Sequence, residues 1–330
     1  MNWQIIDKLE NLGAAPDGQS INKVDQGILK LHTPDMHALS VSSDGVQLEG
    51  RVSLWWEGTP GYKGETVGYI GHFAASSQQS CSFMLEESCR VLAEKGCTFA
   101  IGPMDGNTWR SYRLISDRGA RPLFFMEPDT PIAWSKWFIN SGFDVLANYT
   151  SAINRHLQES LPRLERARER LDAAGVSIRS INLEQIEHEL EQIYSLSLGS
   201  FSRNYLYSSI GKDEFMLMYQ KVIPHLDPRF SYVAEHNDKL VGFIFAVPDL
   251  LEMQRTGKTD AIVGKTLAID GSRQFAGLGG VLIAELYRAS LANGYSTVIH
   301  ALQHEDNKAQ NFGGDNIEII RRYSLYSRKL

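Results

Sequence analysis

The chain has 330 residues, 43% of them hydrophobic and 22% charged, which is an ordinary globular composition and long enough for two domains. Its 33 basic and 39 acidic residues give a net charge of −6, so no general basic field attracts a nucleic acid or an anionic membrane. The N-terminus lacks a basic segment before an apolar run, and no stretch approaches the roughly 18 apolar residues of a membrane span, so we expect a cytoplasmic protein.

The three cysteines lie eight residues apart, at Cys81, Cys89 and Cys97. This spacing fits neither a metal-binding pair on a helix nor a zinc knuckle. An odd number of cysteines without an export signal favours reduced thiols that pack as small hydrophobic side chains. We therefore expect no metal site at these residues.

The N-terminal half, residues 1–154, is predicted to alternate strands with helices. Its expected elements are strands within 27–56 and at 66–73, a helix at 80–95 and a buried strand at 97–101. Asn107 follows a turn and is a natural N-cap for a helix that continues to Leu114. The loop before Asn107, residues 102–106, either faces a cleft or is a plain turn. Residues 143–153 close this half as a strand.

Residues 155–175 are predicted to form a helix that links the halves. Leu161, Leu164 and Leu171 recur at helical spacing, and Gly175 ends the pattern. The arginines of this segment alternate with acidic residues. This alternation favours a solvated, salt-bridged face over a basic binding patch.

The C-terminal half, residues 176–330, shows clearer periodicity. An aromatic loop with Phe201, Tyr205 and Tyr207 separates its first two helices. The predicted elements are a strand at 176–181, a helix from 186, a helix at 212–225, a hairpin of 230–235 with 240–247, a strand at 261–269, a helix at 279–293, a strand at 297–302 and a β-rich segment at 317–328.

The halves share a weak internal repeat at an offset of about 200 residues. In each half a strand and a loop precede a helix that ends at a glycine, Gly96 or Gly294, and a short apolar strand follows. An asparagine then stands in a turn, at Asn107 or Asn307. Strand–helix–strand units are common enough to arise by chance, and we interpret this repeat as a duplication.

The sharpest local signal is the segment 274–280, QFAGLGG, between a predicted strand and a predicted helix. The first amides of a helix are unpaired at its positive end, and glycines let the backbone approach phosphate oxygens, so the loop suits a diphosphate. A dinucleotide fingerprint fails because Leu282 replaces the third glycine and no acidic residue ends the next strand. A glycine-rich turn that only packs a helix on a sheet is the alternative.

This segment resembles the Gln/Arg-x-x-Gly-x-Gly/Ala loop of the GNAT superfamily of acyl-CoA-dependent N-acyltransferases, with Gln274, Gly277 and Gly279 at its fixed positions. The resemblance covers about 155 residues, from position 176 to the C-terminus, in the order of elements. It implies an α/β (α+β) fold of two GNAT-like domains. Each is a mixed, mostly antiparallel twisted sheet flanked by helices, with a splayed strand at the acyl-CoA site.

The implied organisation has three parts. Residues 1–154 form a degenerate GNAT-like domain, because the matching loop at 74–80 has no glycine. Residues 155–175 are the linker helix, and residues 176–330 are the acyl-CoA-binding domain. We interpret the first domain as one that shapes the acceptor cleft or pairs with the second.

The resemblance also implies a binding site for acetyl-CoA or another acyl-CoA. The splayed strand would pair with the pantetheine amides, the loop amides would bind the pyrophosphate, and an asparagine would contact the pantetheine arm. These residues are Leu267, Ala268, Ile269, Gln274, Phe275, Ala276, Gly277, Leu278, Gly279, Gly280 and Asn307. The aromatic residues Phe201, Tyr205 and Tyr207 fall where the family builds its acceptor site, with core packing as the alternative.

The implied reaction is direct attack of an amine on the thioester, which needs a base, an amide for the oxyanion and an acid for the thiolate. The family's usual tyrosine acid is missing from residues 308–314, which leaves Tyr323 or Tyr326 as substitutes. His300 lies near the usual place of a water-binding base, and a structural role is its alternative.

Two functions follow from these residues. One is an N-acyltransferase, most simply an N-acetyltransferase, acting on an amine of a small molecule or a protein. The other is a non-catalytic acyl-CoA-binding or regulatory protein, and tandem aminoacyl- and acyl-transferases are a third class. The expected partners are an acyl-CoA and an amine acceptor, with no nucleic acid and no membrane, and a homodimer is left open.

Overall fold

The computed structural model describes residues 1–6, 31–306 and 317–330, and within these ranges thirteen strands form one sheet flanked by eight helices. The strands are β1 (Asn2–Ile5), β2 (Met36–Val41), β3 (Leu48–Trp55), β4 (Val67–Ala75), β5 (Phe99–Gly102), β6 (Leu114–Asp117), β7 (Asp144–Asn154), β8 (Ser177–Ser180), β9 (Tyr232–His236), β10 (Lys239–Pro248), β11 (Ala261–Ile269), β12 (Thr297–His304) and β13 (Ile317–Lys329). The helices are α1 (Gln78–Glu94), α2 (Ile132–Asn140), α3 (Leu157–Leu164), α4 (Arg168–Ala173), α5 (Ile186–Phe201), α6 (Lys212–Gln220), α7 (Leu250–Thr256) and α8 (Leu278–Ala292).

The strand order is β1-β2-β3-β4-β5-β13-β7-β12-β11-β10-β9-β8, and β6 pairs with β13 outside this path. Two pairs are parallel, β4 with β5 and β11 with β12, and the other described pairs are antiparallel. Each parallel pair is joined by a helix, α1 or α8, because parallel strands need a long crossover. The predicted mixed, mostly antiparallel architecture is confirmed, and the β–α–β unit occurs twice.

The two halves exchange their last strands. β13 lies beside β5, with Ser327 opposite Ile101, and β7 lies beside β12, with Ile153 opposite Ile299. β7 and β13 also pair with each other, so the sheet is continuous through the middle of the protein. The domain boundaries predicted at 154 and 176 do not coincide with a break in the sheet. That residues 1–154 and 176–330 are separate domains stays a prediction.

Helices cover both faces of the C-terminal half. Side chains of β10 alternate between two hydrophobic clusters, with Ile244 under α8 and α3 and Phe243 under α5 and α6. The N-terminal half contributes to the second cluster, where Phe124 is fully buried. The segment before α2 therefore covers the α5 and α6 face of the C-terminal half.

The prediction of a helix from Asn107 to Leu114 is wrong, because residues 107–110 form a turn and not a helix, and β6 begins at Leu114. Asn107 caps only a turn, since its Oδ1 accepts the Trp109 amide at 3.0 Å. The Trp109 indole donates to the Ser208 carbonyl at 2.9 Å, and Arg110 forms an ion pair with Glu214. These partners lie about 100 positions away, so the contact that replaces the helix is tertiary.

Two further helices differ in extent from the sequence prediction. The linker forms α3 and α4 with a break at residues 165–167 rather than one helix. The helix expected at 212–225 ends at Gln220, and a short 3-10 turn follows at Ile223–His225. Pro224 lies inside that turn and cannot supply the amide that a continuing helix needs.

The expectation that no stretch approaches a membrane span is wrong by length and composition alone, because the helical segment Arg273–Ala292, within the described residues, is long and apolar enough to cross a membrane. In the fold 61% of its apolar window is buried. Val281, Leu282 and Leu286 of this segment belong to the core between α8 and the sheet. The apolar composition is therefore that of a core helix.

The three cysteines are free and buried. They belong to the cluster between α1 and the N-terminal strands, and burial raises the pKa of all three thiols. They pack as small hydrophobic side chains.

Candidate acyl-CoA site

β11 and β12 separate halfway along their length. Their parallel pairing ends where Gly264 lies opposite His300, and β11 continues to Ile269 without β12 beside it. Among the described residues, no backbone hydrogen bond replaces this pairing along residues 265–269. β11 stays paired with β10 on its other side, so one edge of the strand is open.

A β-bulge coincides with the separation. Phe245 of β10 lies opposite Thr266 and Ala246 lies opposite Gly264, so Lys265 is an extra residue without a partner. Bulges re-aim side chains and are frequent beside active sites. Here the bulge places Lys265 at the point where the edge opens.

The equivalent separation in the N-terminal half is closed by the chain itself. β4 leaves β5 after Tyr69. Beyond this point the Met104 amide donates to the Ile70 carbonyl at 2.8 Å, and the Asp105 carboxylate accepts the His72 amide at 2.6 Å. The polar groups that a cofactor arm would use are already paired.

Steric packing closes the same edge of β4. A Cβ atom on Gly71 would lie 2.3 Å from the Met104 carbonyl oxygen, which leaves no space between the two segments. The loop at 102–106, which the sequence left open as a turn or a cleft wall, thus crosses β4 and seals it. Together with the absence of glycine at 74–80, this contact fits a domain without a cofactor.

The glycine loop leads from the open edge of β11 into α8. Gly277 adopts φ +88, a backbone conformation that glycine reaches without strain, and α8 begins at the next residue. The amides of residues 278–280 form no backbone hydrogen bond within the described part of the chain, as expected for a first helical turn. Gln274, Ala276 and Gly277 are exposed, whereas Phe275 and residues 278–280 are buried.

The linker helix covers the start of α8. A Cβ atom on Gly280 would lie 2.9 Å from the Leu164 carbonyl oxygen, and one on Gly277 would lie 2.5 Å from the Ala167 Cβ. The exposed part of the loop is therefore its outer turn, residues 274–277. The surface that an anion can reach is therefore smaller than the sequence predicted, because the prediction used all the amides from 275 to 280.

Arg170 supplies a positive charge to this outer turn. Its guanidinium donates to the Gln274 carbonyl at 2.7 Å and to the Ala276 carbonyl. The sequence predicted that the linker arginines form salt bridges, and Arg168 does so with Glu285. The described contacts of Arg170 are instead with the loop. No local signal marks Arg170, because its partners are more than 100 positions away.

Lys265 is partly buried at the separation, and its Nζ donates to the Met126 carbonyl at 2.8 Å. Burial of the ammonium group and the nearby Arg113 cation lower the pKa of Lys265 to about 7, against the opposing effect of Glu127. An amine with such a pKa is largely neutral just above pH 7, and a neutral amine is both a base and a nucleophile. The sequence reading did not single out this lysine.

The two predicted catalytic side chains are buried and hydrogen-bonded. His300 Nε2 lies 2.6 Å from the Tyr287 hydroxyl, and burial lowers the pKa of His300 to about 4. The Tyr323 hydroxyl donates to the Glu127 carboxylate and lies 3.0 Å from Ser151 Oγ. Burial and Glu127 raise the pKa of Tyr323, so this phenol stays protonated. The catalytic roles of both residues stay predictions.

The aromatic loop lies between the two halves. Ring centroids of Phe201 and Tyr207 are 5.6 and 6.2 Å from that of Trp109, and the Tyr205 ring is 5.9 Å from Tyr62. The contacting rings Trp109 and Tyr62 belong to the N-terminal half. The acceptor role of this loop stays a prediction.

The remaining predicted cofactor residues lie along β11 and beyond β12. Leu267 and Ile269 are partly buried against the α8 cluster, and Ala268 is buried on the opposite face. Asn307 lies outside the described residues. Tyr326, the other substitute acid, bonds to Ser135 in the N-terminal half.

A surface groove of about 720 Å³ opens beside residues 270–272, which lie between β11 and the loop. Its lining includes Arg203 just after α5, Lys239 at the start of β10 and Ser272. The lining does not include Lys265.

No family model matches the chain, and no curated protein matches it in sequence. Among solved structures, a GCN5-related glucosamine N-acetyltransferase region in a fungal multi-domain GH3 β-N-acetylglucosaminidase matches 99% of this chain with a TM-score of 0.51 and 12% identity. The chain has the fold of the GCN5-related N-acetyltransferases. It spans 38% of the length of that fungal chain.

Two other structures with this GNAT fold resemble the chain along most of both lengths. A GCN5-related N-acetyltransferase from Sphaerobacter thermophilus has a TM-score of 0.47 at 11% identity, covering 97% of this chain and 88% of that chain. A tandem GNAT protein from the clavulanic acid biosynthesis pathway has a TM-score of 0.49 at 12% identity, covering 99% and 98%. In this chain a unit of two parallel strands joined by a helix occurs twice, as β4–α1–β5 and as β11–α8–β12.

Proposed function

We propose that the chain is an acyl-CoA-dependent N-acyltransferase with a single cofactor site in its C-terminal half. The observation that supports this most is the contrast between the two strand separations. Met104 and Asp105 fill the separation beside β4, whereas the β11 edge beyond Gly264 is open and leads into the glycine loop. Within residues 1–6, 31–306 and 317–330, the second separation therefore offers free backbone groups to an extended ligand and the first does not.

The residues present fit an acyl-CoA. The Ile269 amide donates to Ser200 Oγ at 3.3 Å, but on the side of β11 away from β10 no backbone hydrogen bond is described for residues 265–268. These backbone groups suit the amide groups of a pantetheine arm, and the exposed turn 274–277 with Arg170 suits a pyrophosphate. An acyl-CoA supplies an activated thioester when bound, and acetyl-CoA is the simplest donor. The chain then binds and orients the donor, and the face with Lys265 and the aromatic loop holds the acceptor amine.

The hydrogen bonds of two predicted catalytic side chains support a second function. His300 and Tyr323 are both engaged, with Tyr287 and Glu127 respectively, so neither offers a free acid or base. This favours a non-catalytic acyl-CoA-binding protein as the alternative.

Calorimetric titration with acetyl-CoA tests the binding site. We expect one molecule of acetyl-CoA to bind per chain. In the variant Ala276→Asp, the new carboxylate in the exposed turn should repel the pyrophosphate and weaken binding at least about tenfold. The matched control is Gln79→Asp, which places the same charge at the exposed start of α1 in the sealed half. Absence of binding, or equal affinity in the two variants, contradicts the proposed site.

Release of free CoA thiol with a panel of small amines and peptides separates the two functions. Acceptor-dependent release with transfer of the acyl group to the amine supports the acyltransferase. Stoichiometric binding without release on any acceptor supports the binding protein.

A further inference from the structure

Lys265 carries a reactive side-chain amine and is not among the residues predicted to bind the cofactor. It is the bulged residue of β11, it lies at the inner end of the open edge, and the residue as a whole is half-buried. The edge runs from Ile269, the last residue of β11 before the loop, to Lys265, four residue steps or about 13 Å of extended strand. An arm anchored at the loop and paired along this edge therefore ends at Lys265.

The Lys265 amine is held in place and surrounded by charged groups on several elements. Nζ donates to the Met126 carbonyl at 2.8 Å. Arg113 and Glu127 of the N-terminal half face it, with opposite effects on its charge. The Glu127 carboxylate is itself bound by Arg321 and Tyr323 of β13, so it is not free to pair with the lysine.

This environment disfavours an ammonium at Lys265. One cation, Arg113, is near, and the acidic neighbour is already neutralised by Arg321. The lowered pKa of Lys265, about 7, is consistent with that arrangement. A neutral amine with a free lone pair thus lies where the donor arm ends.

We propose that Lys265 is a self-acylation site, whose side-chain amine takes the acyl group of an acyl-CoA bound along β11; this rests on the proposed function. Nζ attacks the thioester carbonyl carbon, the C–N bond forms and the C–S bond breaks. The sulfur leaves as the CoA thiol after accepting the proton that Nζ loses. The product is a neutral N-acyl-lysine, and no oxidant or further reactant is needed.

The product fits the same surroundings as the free amine. An acyl-lysine keeps one N–H, which can still donate to the Met126 carbonyl. It carries no charge, so the repulsion from Arg113 disappears. Acylation also delocalises the lone pair of Nζ into the new carbonyl group, so the modified chain loses a base at the inner end of the site.

Incubation of the wild-type chain with acetyl-CoA, followed by intact-mass measurement and peptide mapping, tests the proposal without relying on a variant. We expect one acetyl group at Lys265, formed at least about tenfold faster than at the exposed Lys258, because a bound donor raises the effective concentration. The rate at Lys265 should fall at least about tenfold with the same concentration of S-acetyl-N-acetylcysteamine, a thioester that lacks the pyrophosphate. Lys265→Arg should abolish the site-specific gain, and Lys258→Arg should retain it.

A second readout needs no CoA. Competitive labelling of the lysines with a trace of acetic anhydride over a pH series should give Lys265 a reactivity midpoint near pH 7. Labelling of Lys265 that still rises above pH 9 overturns the proposal.

The remaining outcomes separate this proposal from the proposed function. One acetyl-CoA bound per chain with Lys265 unmodified, or modified no faster than Lys258, overturns self-acylation and leaves the acyl-CoA site in place. Equal modification by the small thioester overturns it as well, because the bound donor then contributes nothing. Failure of acetyl-CoA to bind overturns both.

Discussion

Glu127 and Arg321 form an ion pair with both side chains fully buried, in which Arg321 Nε lies 2.7 Å from Glu127 Oε1. Glu127 belongs to the segment of the N-terminal half that covers the α5 and α6 face, and Arg321 belongs to the exchanged strand β13. Tyr323 also donates to Glu127. The pair therefore joins the two halves next to the strand separation.

Removing one partner of this pair should destabilise the protein strongly. Glu127→Ala leaves a buried guanidinium without its carboxylate, and we expect a loss of about 3–5 kcal/mol in the free energy of unfolding, measured by urea denaturation. The control is Glu318→Ala, which breaks the exposed pair with Arg155 and should cost less than about 1 kcal/mol. Similar losses in the two variants would show that the buried pair does not hold the halves together.

Lys265 should make stability depend on pH above neutrality. Its pKa falls from 10.5 in the unfolded chain to about 7 in the folded one, so the unfolded chain binds more protons between these values and stability rises with pH across this window. We expect Lys265→Met to be more stable than the wild type at pH 7, by up to about 4 kcal/mol, with the difference narrowing by pH 9.5.

Denaturation midpoints at pH 7 and pH 9.5 measure this effect. Lys258→Met, a change at an exposed position, should retain the wild-type rise because Lys265 is still present. A wild-type midpoint that stays flat over this range contradicts the assignment.

His37 should make stability fall in mild acid. Its Nδ1 bonds to Ser53 Oγ at 2.6 Å, and burial with the nearby His72 lowers the pKa of His37 from 6.5 to about 4. The folded state thus favours the neutral ring. Its contribution, about 3 kcal/mol, is present above pH 6.5 and is lost as the pH falls toward 4.

The comparison of urea midpoints at pH 7.5 and pH 5 checks this contribution. The decrease on acidification should be smaller in His37→Gln than in the wild type, because the variant has no ring to protonate. His188→Gln, at an exposed position of α5, should show the full wild-type decrease because His37 is still present. An undiminished decrease in His37→Gln would be evidence against a neutral buried His37.

Gly280 and Gly199 should respond oppositely to alanine, although both lie in helices. A Cβ on Gly280 would lie 2.9 Å from the Leu164 backbone oxygen, so we expect Gly280→Ala to lose about 1–3 kcal/mol as α3 is pushed from α8. Gly199 has no neighbour within 4 Å of such a Cβ, and Gly199→Ala should gain about 0.5–1 kcal/mol from helix propensity. Thermal unfolding measures both, and a gain at Gly280 would mean that α3 does not cover the start of α8.

Local patterns predicted the elements of the second repeat well. β11 was expected at 261–269 and occupies Ala261–Ile269, and the helix expected at 279–293 is observed at Leu278–Ala292. Alternating or periodic apolar residues bounded by glycine and turn residues carry this information within a short window. The helix predicted at Asn107 failed because Trp109 and Arg110 have distant partners that override a local capping signal.

The sequence by itself determined the strand–helix–strand unit of β11, α8 and β12, the glycine loop before α8 and the fold that these imply, because each depends on residues close together in the chain. Only the tertiary structure decided which strand separation is open, since Met104 and Asp105 fold back on β4, while β11 beyond Gly264 keeps only β10 as a described partner strand. It also decided that Arg170 meets the loop and that Lys265 lies at the inner end of the edge, facing Met126. The contacts of Arg170 and Lys265 join residues more than 100 positions apart, and a chain that must bury its apolar faces in one sheet brings them together only when it folds.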